Sequence, residues 1–185
     1  MADYPQHLIR NLVLRDGTPI VIRPIRPDDA EREQAFVRNL SEQSRYMRFM
    51  TTLNQLPPKK LAFFTDIDYQ RHLALLATIV RDGQEVEIGV SRYVADKTPG
   101  ECEFAVVVAD AWQGKGVASR LMRALIEAAR DNGYTLIEGL VFASNQKMLE
   151  LSRGLGFEVH AIPGEGETVR VVRQLSTPLP APQAA

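Results

Sequence analysis

Residues 104–118 read Phe-Ala-Val-Val-Val-Ala-Asp-Ala-Trp-Gln-Gly-Lys-Gly-Val-Ala, and this stretch decides the fold. An apolar strand runs into a short turn, then a glycine-rich loop, then an amphipathic helix. The loop Gln113-Gly114-Lys115-Gly116-Val117-Ala118 carries little side-chain bulk where the helix begins. The first N–H groups of a helix have no internal partner, and the helix dipole adds partial positive charge there. Glycine lets a phosphate approach that backbone closely. The arrangement suits a pyrophosphate and, with the strand before it, coenzyme A. Two commoner phosphate motifs do not fit. Ser119 stands where the Rossmann pattern G-x-G-x-x-G needs its third glycine, and Lys115 is followed by Gly116 where the Walker pattern needs Ser or Thr.

Composition narrows the surroundings of this motif. The chain has 185 residues, 45% of them hydrophobic, which suits a single sizeable core. A net charge of −1 gives no basic bias toward nucleic acid or an anionic membrane. No apolar run reaches transmembrane length, and Met-Ala-Asp-Tyr-Pro does not open a signal peptide. The one cysteine, Cys102, rules out an internal disulfide framework and fits a reducing cytoplasm. His7, His72 and His160 have no metal-ligand spacing, so no metal is expected. Residues 1–175 are expected to form one domain, and Ser176 to Ala185, rich in Pro and Ala, a disordered tail.

The elements follow from periodicity and punctuation. Leu12-Val13-Leu14 and Ile20-Val21-Ile22 flank Asp16-Gly17, a hairpin signal. Asp28 or Asp29 caps a helix to about Leu40, and Ser41 caps a second to about Met50. Lys59 to Thr65 forms a short helix after Pro57-Pro58. Three strands follow, His72–Val80, Val86–Val94 and 101–108, turned at Asp82-Gly83 and Thr98-Pro99-Gly100. The helix from about Gly116 to Asp131 places Val117, Leu121, Leu125 and Ala128 on one face. Then come a strand (Leu136–Phe142), a helix (Asn145–Leu155) and a final strand pair (Phe157–Ile162, Val169–Leu175).

Gln113, Gly116 and Ala118 match the pattern Gln/Arg-x-x-Gly-x-Gly/Ala, and the chain resembles the GNAT superfamily of N-acetyltransferases, in which this is the acetyl-CoA signature. Asn145-x-x-Met148-x-x-Leu151-Ser152-x-x-x-Gly156-Phe157 is similar to a second GNAT segment, with Ser152 where a tyrosine often stands as general acid. Within the superfamily the chain most resembles the bacterial Pat-type protein lysine acetyltransferases. The matching stretches are Leu14–Thr18, Ile22–Asp29, Ser41–Phe49, Asp66–Tyr69, Glu103–Val106 and Asp110–Gly116. The resemblance implies an α/β GNAT fold: a mixed, mostly antiparallel central sheet flanked by helices and splayed at the acetyl-CoA strand. It also implies transfer of acetyl from acetyl-CoA to an amine by direct attack in a ternary complex. The acceptor is then a protein lysine or, as a second reading, a small amine. A third reading keeps the fold as a non-catalytic acetyl-CoA-binding regulatory protein. Monomer and homodimer both remain open, because folds of this kind often pair through edge strands.

An amine acceptor with a pKa near ~10.4 needs a base to deliver the neutral nucleophile. The Pat-type resemblance puts a catalytic glutamate at Glu103, on the strand that leads into the loop, and partial burial there would raise its pKa toward neutrality. Strand alternation puts Glu103, Ala105 and Val107 on one face and Cys102, Phe104 and Val106 on the other, so Cys102 is expected as a packed core thiol. Glu138 is the reserve base. The resemblance makes Val106, Val107 and Val108 the pantetheine-pairing strand, and a backbone N–H there stabilises the oxyanion. Gln113, Gly114, Lys115, Gly116, Val117 and Ala118 are expected at the pyrophosphate, with Asn145 and Ser152 near the cofactor. Lys115 and Arg120 lie either near the phosphates or on a solvated helix face, and Asn145 also suits a helix cap. Trp112 reads as a hydrophobic plug. Arg45-Tyr46-Met47-Arg48-Phe49 is either an ordinary packed helix or one wall of an acceptor cleft, with Asp66, Asp68 and Tyr69 on another.

Overall fold

The computed structural model describes residues 3–182. Eight strands form one sheet: β1 (Arg10–Val13), β2 (Pro19–Pro24), β3 (His72–Arg81), β4 (Gln84–Ala95), β5 (Glu101–Val108), β6 (Leu136–Phe142), β7 (Glu158–Ile162) and β8 (Glu165–Gln174). Their spatial order is β1-β2-β3-β4-β5-β6-β8-β7. Only β5 and β6 run parallel, joined by the crossover helix α4 (Val117–Asp131). The other helices are α1 (Ala30–Asn39), α2 (Glu42–Phe49), α3 (Pro58–Thr65) and α5 (Gln146–Gly154).

The continuous apolar run of β3 reflects burial on both sides. Leu73, Leu75 and Ala77 join the larger core with Leu121, Met122 and Leu125 of α4. Ala74 and Leu76 join a second core with Phe36 and Val37 of α1 and Phe64 of α3. A central strand faces apolar layers on both sides, so it loses the alternation of a half-buried one. The expected α4 stripe is buried as read.

The parallel pairing of β5 and β6 is short. It joins Glu101–Glu103 to Leu136–Glu138 and goes no further. Beyond it β6 pairs only with β8, to Phe142↔Thr168, while β5 stays on β4 to Val108↔Gly89. The strands therefore part into a notch. At its base the Phe104 ring presses on Gly139, where a Cβ would meet Cε1 at 2.8 Å. On the far side of β4, Ile88 is left unpaired between Ala77↔Gly89 and Thr78↔Glu87, a bulge, and its carbonyl accepts from Ala109 N–H at 2.8 Å.

Two boundaries differ from expectation. The last strand starts at Glu165, not Val169, because the polar run Glu165–Thr168 pairs through its backbone with no apolar alternation to announce it. Of the tail expected from Ser176, residues 176–182 are described and form no helix or strand. Arg173 donates to the carbonyls of Thr177 (2.7 Å) and Pro178 (2.9 Å), and Arg123 to that of Pro180 (2.8 Å). Residues 183–185 lie outside the described residues. No helix is long and apolar enough to cross a membrane, among the described residues.

Candidate active site

The notch is built from β5 outward. From Phe104 to Val108 one backbone edge of β5 has β4 as partner and the other has no strand. Val106 packs toward the α4 core and Val107 toward the α1 core, while Val108 is buried at the turn. Unpaired N–H and C=O groups in an open notch are free to pair with an extended amide-bearing ligand.

After Val108 the chain turns through Asp110–Trp112 into the glycine loop. Gly114 and Gly116 have φ of 74° and 81°, a region that favours glycine. Gly116 opens α4, and no side chain caps the helix. The bare N-terminus of a 15-residue helix with a backbone of low bulk fits an anion. Arg120 donates to the Gly116 carbonyl at 3.1 Å and so holds its guanidinium over the loop. Lys115 is not free: its Nζ lies 3.2 Å from Asp16 of the β1–β2 hairpin and 5.2 Å from the Trp112 ring centroid. Gln113 turns its amide away from the loop, donating to Val108 O (3.1 Å) and Ser44 Oγ (3.2 Å). Val117 is buried and Ala118 half-buried.

Asp110 fastens α2 to this loop. It accepts from the Ser41 N–H (2.9 Å), the Ser41 hydroxyl (2.6 Å) and the Ser44 hydroxyl (2.8 Å). Burial would raise its pKa, but these donors hold it below the usual range.

Glu103 stands at the last position of β5 that pairs with β6, between Val94 of β4 and Glu138 of β6. It is exposed, on the face opposite Cys102. Partial desolvation, with Asp96 and Glu138 nearby, holds its carboxyl above the usual range, and Arg48 pulls the other way. Glu138 lies 3.5 Å from Arg170. Cys102 is 0% exposed, and burial pushes its thiol up to about 12, which leaves no thiolate for nucleophilic attack near neutrality.

Asn145 caps α5 by accepting from Met148 N–H at 3.2 Å. Ser152 is 1% exposed and donates its proton to the Met148 carbonyl at 2.8 Å. Its hydroxyl is thus already committed within its own helix.

The suggested acceptor walls are only partly assembled. Arg45 is structural, donating to the carbonyls of Leu53 (2.9 Å), Arg38 (3.2 Å) and Leu40. Arg48 instead sits over Phe49 and Phe64. Tyr46 stacks on Phe142 of β6, centroids 5.3 Å apart and planes 8° off parallel, which bridges α2 to the far rim of the notch. Asp68 accepts three backbone N–H groups, from Gln70, Arg71 and His72, and Tyr69 donates to Ile25 O. Both shape the loop between α3 and β3. Asp66 and Asp68 line a cavity of about 320 Å³ with Phe63, His72 and Val94.

Sequence reading missed the ionic groups beneath this cleft. Arg92 of β4 is 3.0 Å from Glu33 of α1 and 3.0 Å from His72 Nε2. Burial, then Arg92, pushes the His72 pKa down to about 3, so the ring is neutral. Glu33 and Arg92 are 59 residues apart, and no local pattern joins them.

Residues 20–158 match the family described as an acetyltransferase (GNAT) domain. An acetyltransferase of Pseudomonas aeruginosa is 40% identical over 156 residues, 84% of this chain and 84% of that protein. Acetyltransferase Pat of Mycolicibacterium smegmatis is 28% identical over 150 residues, 77% of this chain and 42% of that protein. The crystal structure of the GNAT domain of S. lividans PAT superposes with a TM-score of 0.83 at 32% identity, covering 93% of this chain and 99% of that one.

Proposed function

Because the chain belongs to the GNAT acetyltransferase family, we propose that it moves an acetyl group from acetyl-CoA to the side-chain amine of a protein lysine. The observation that carries this reading is the position of Glu103. A carboxyl held above its usual range stands where the β5–β6 notch begins, on the strand that leads into the uncapped start of α4. The lysine acceptor rests on the likeness to Pat and to the GNAT domain of S. lividans PAT.

Acetyl-CoA supplies an activated thioester, and the chain supplies position and proton handling. The N-terminus of α4, with Gly114 and Gly116, holds the pyrophosphate through backbone N–H groups. The free edge of β5 at Val106, Val107 and Val108 aligns the pantetheine arm, and one of its N–H groups donates a hydrogen bond to the carbonyl oxygen as negative charge develops on it. Glu103 takes the proton from the acceptor ammonium, directly or through a water. Its raised pKa brings it nearer that task than an ordinary carboxylate. The C–S bond breaks to a thiolate, a better leaving group than an amine because a thiol such as that of cysteine has a pKa near ~8.5. The thiolate takes up the second proton that the attacking nitrogen loses, so a donated Ser152 proton is not required. Asn145 caps α5 and leaves its amide nitrogen for the ligand.

Calorimetric titration with acetyl-CoA, paired with an assay of CoA release, tests the reading. Wild type should bind acetyl-CoA, and Gly116→Trp should not. Glu103→Gln should bind as wild type does yet release CoA about 10²–10⁴-fold more slowly with a lysine peptide, the usual worth of a general base. Full activity in Glu103→Gln would remove Glu103 from the mechanism. Binding without release for any amine would favour a regulatory acetyl-CoA receptor.

A further inference from the structure

Two cations that share a pair of rings, one of them near Glu103, stand without a hydrogen-bonded anion among the described residues. Arg48 lies near the end of α2 and Lys60 in the first turn of α3, and they share two rings. The Arg48 guanidinium carbon is 4.8 Å from the Phe49 centroid and 5.8 Å from that of Phe64. The Lys60 ammonium is 5.1 Å and 5.7 Å from the same two. A third cation, Arg92, stacks on Phe64 at 3.8 Å. Of the three only Arg92 has a carboxylate within ion-pair distance, Glu33, while Glu33 and Glu103 lie near enough to Arg48 to favour its charged form. Neither Arg48 nor Lys60 makes a hydrogen bond or ion pair among the described residues.

Cations grouped this closely repel one another. An aromatic face stabilises a cation by about 0.5–2 kcal/mol, less than a charge-assisted hydrogen bond adds at a partly buried site. Burial and then Arg92 push the Arg48 pKa down to about 10, and burial, Arg48 and Arg92 together lower that of Lys60. Both side chains are half-buried and reached by water, and an anion docked between them relieves their repulsion and replaces water with charge-assisted hydrogen bonds.

Neighbouring charges say what carries that anion. Arg48 is near enough to Glu103 to lower its pKa, yet they form no ion pair. Asp96, just past β4, and Glu138 of β6 also lie near Glu103. The opening therefore has an acidic wall at Glu103, which attracts an ammonium, and a basic wall at Arg48 and Lys60. We propose that Arg48 and Lys60 bind a carboxylate on the acceptor itself, so that the preferred substrate is an amine with an acidic group close by. Two sources present that chemistry: a protein lysine with Asp or Glu next to it, and the α-carboxylate of a free amino acid. The inference rests on the amine acetyltransferase reading above and names its substrate class.

The test compares matched acceptors in CoA release from acetyl-CoA. One pair is a lysine peptide with Glu beside the lysine and the same peptide with Gln. The other is a free amino acid and its amide. Each pair is run with wild type, Arg48→Gln and Lys60→Gln, and acetyl-CoA binding reports that each variant is folded. In wild type the carboxylate-bearing member of one pair should lead by about tenfold in kcat/KM, mostly through KM, as one charge-assisted contact predicts. Either substitution should bring that ratio near one, and the pair showing it identifies the source. Equal use of both members by wild type overturns the proposal, as does a preference that survives both substitutions. If Arg48→Gln misfolds, Lys60→Gln carries the same comparison. Release without any charge preference sinks this inference alone, whereas no release with any amine removes the transferase reading as well.

Discussion

At the scale of single residues, Glu103 is governed by what surrounds it. Desolvation, Asp96 and Glu138 favour its neutral form, and Arg48 favours the charged one. If Glu103 is the base, the lower apparent pKa in a profile of kcat/KM against pH should lie above the ~4.3 of an unperturbed glutamate. Arg48→Gln removes the one group that pulls the pKa down, so that midpoint should move further up. A midpoint that stays put would mean that the Arg48 charge does not reach the base. Strand alternation was enough to place Glu103 and Cys102 on opposite faces, because a period of two leaves no freedom once one face is buried. Ser152 shows the limit. Its segment was recognisable, but a helical serine that bonds back to the carbonyl four residues earlier carries no local signature.

At the scale of elements, α2, proposed as one wall of the acceptor cleft, is held by the turn that leads into the loop expected to bind phosphate. Asp110 accepts from both serines in the first turn of α2 and thereby replaces the hydrogen bonds that a free helix start lacks. Asp110→Asn should cost about 1 kcal/mol in this capping region. Amide exchange should then quicken in α2 and little elsewhere. Uniform quickening across the sheet would show instead that Asp110 supports the whole fold. Element order and most boundaries were readable because apolar periods, Ser41 and the Asp-Gly turns punctuate the chain. The start of β8 was not, since Glu165–Thr168 enter the sheet through backbone pairing alone.

At the scale of the whole molecule, two buried ionic networks oppose each other across the pH range. Glu87 of β4 is buried with both carboxyl oxygens lacking a donor, as is one oxygen of Glu33. Burial, then the nearby Glu33 carboxylate, pushes the Glu87 pKa well up, which favours a protonated Glu87 that can donate toward Glu33. The folded protein then keeps a proton that the unfolded chain releases above the ordinary carboxylate range. Stability should fall as pH rises from there toward the raised pKa. Asp29 behaves in the opposite sense. Burial alone would raise its pKa, but Arg23 at 2.7 Å holds it down, so its contribution is lost as pH falls through that lowered value. Urea midpoints across pH should thus trace a dome, and Glu87→Gln should flatten its alkaline side only. An unchanged alkaline slope in that variant would show that Glu87 is ionised in the native state. None of these partnerships was legible in the sequence. Arg92 and Glu33 meet only after the sheet and α1 have packed, whereas the notch between β5 and β6 was implied by resemblance.

Trp112 is the chain's only tryptophan, and it sits in the turn between β5 and the glycine loop with the Lys115 ammonium above its ring. Its indole emission is therefore a single-site optical signal from the mouth of the glycine loop proposed to hold phosphate. A phosphate that draws Lys115 off the ring changes the field across the indole. Occupancy of the loop should be readable in the unlabelled protein as a shift in colour or intensity, in real time and without turnover.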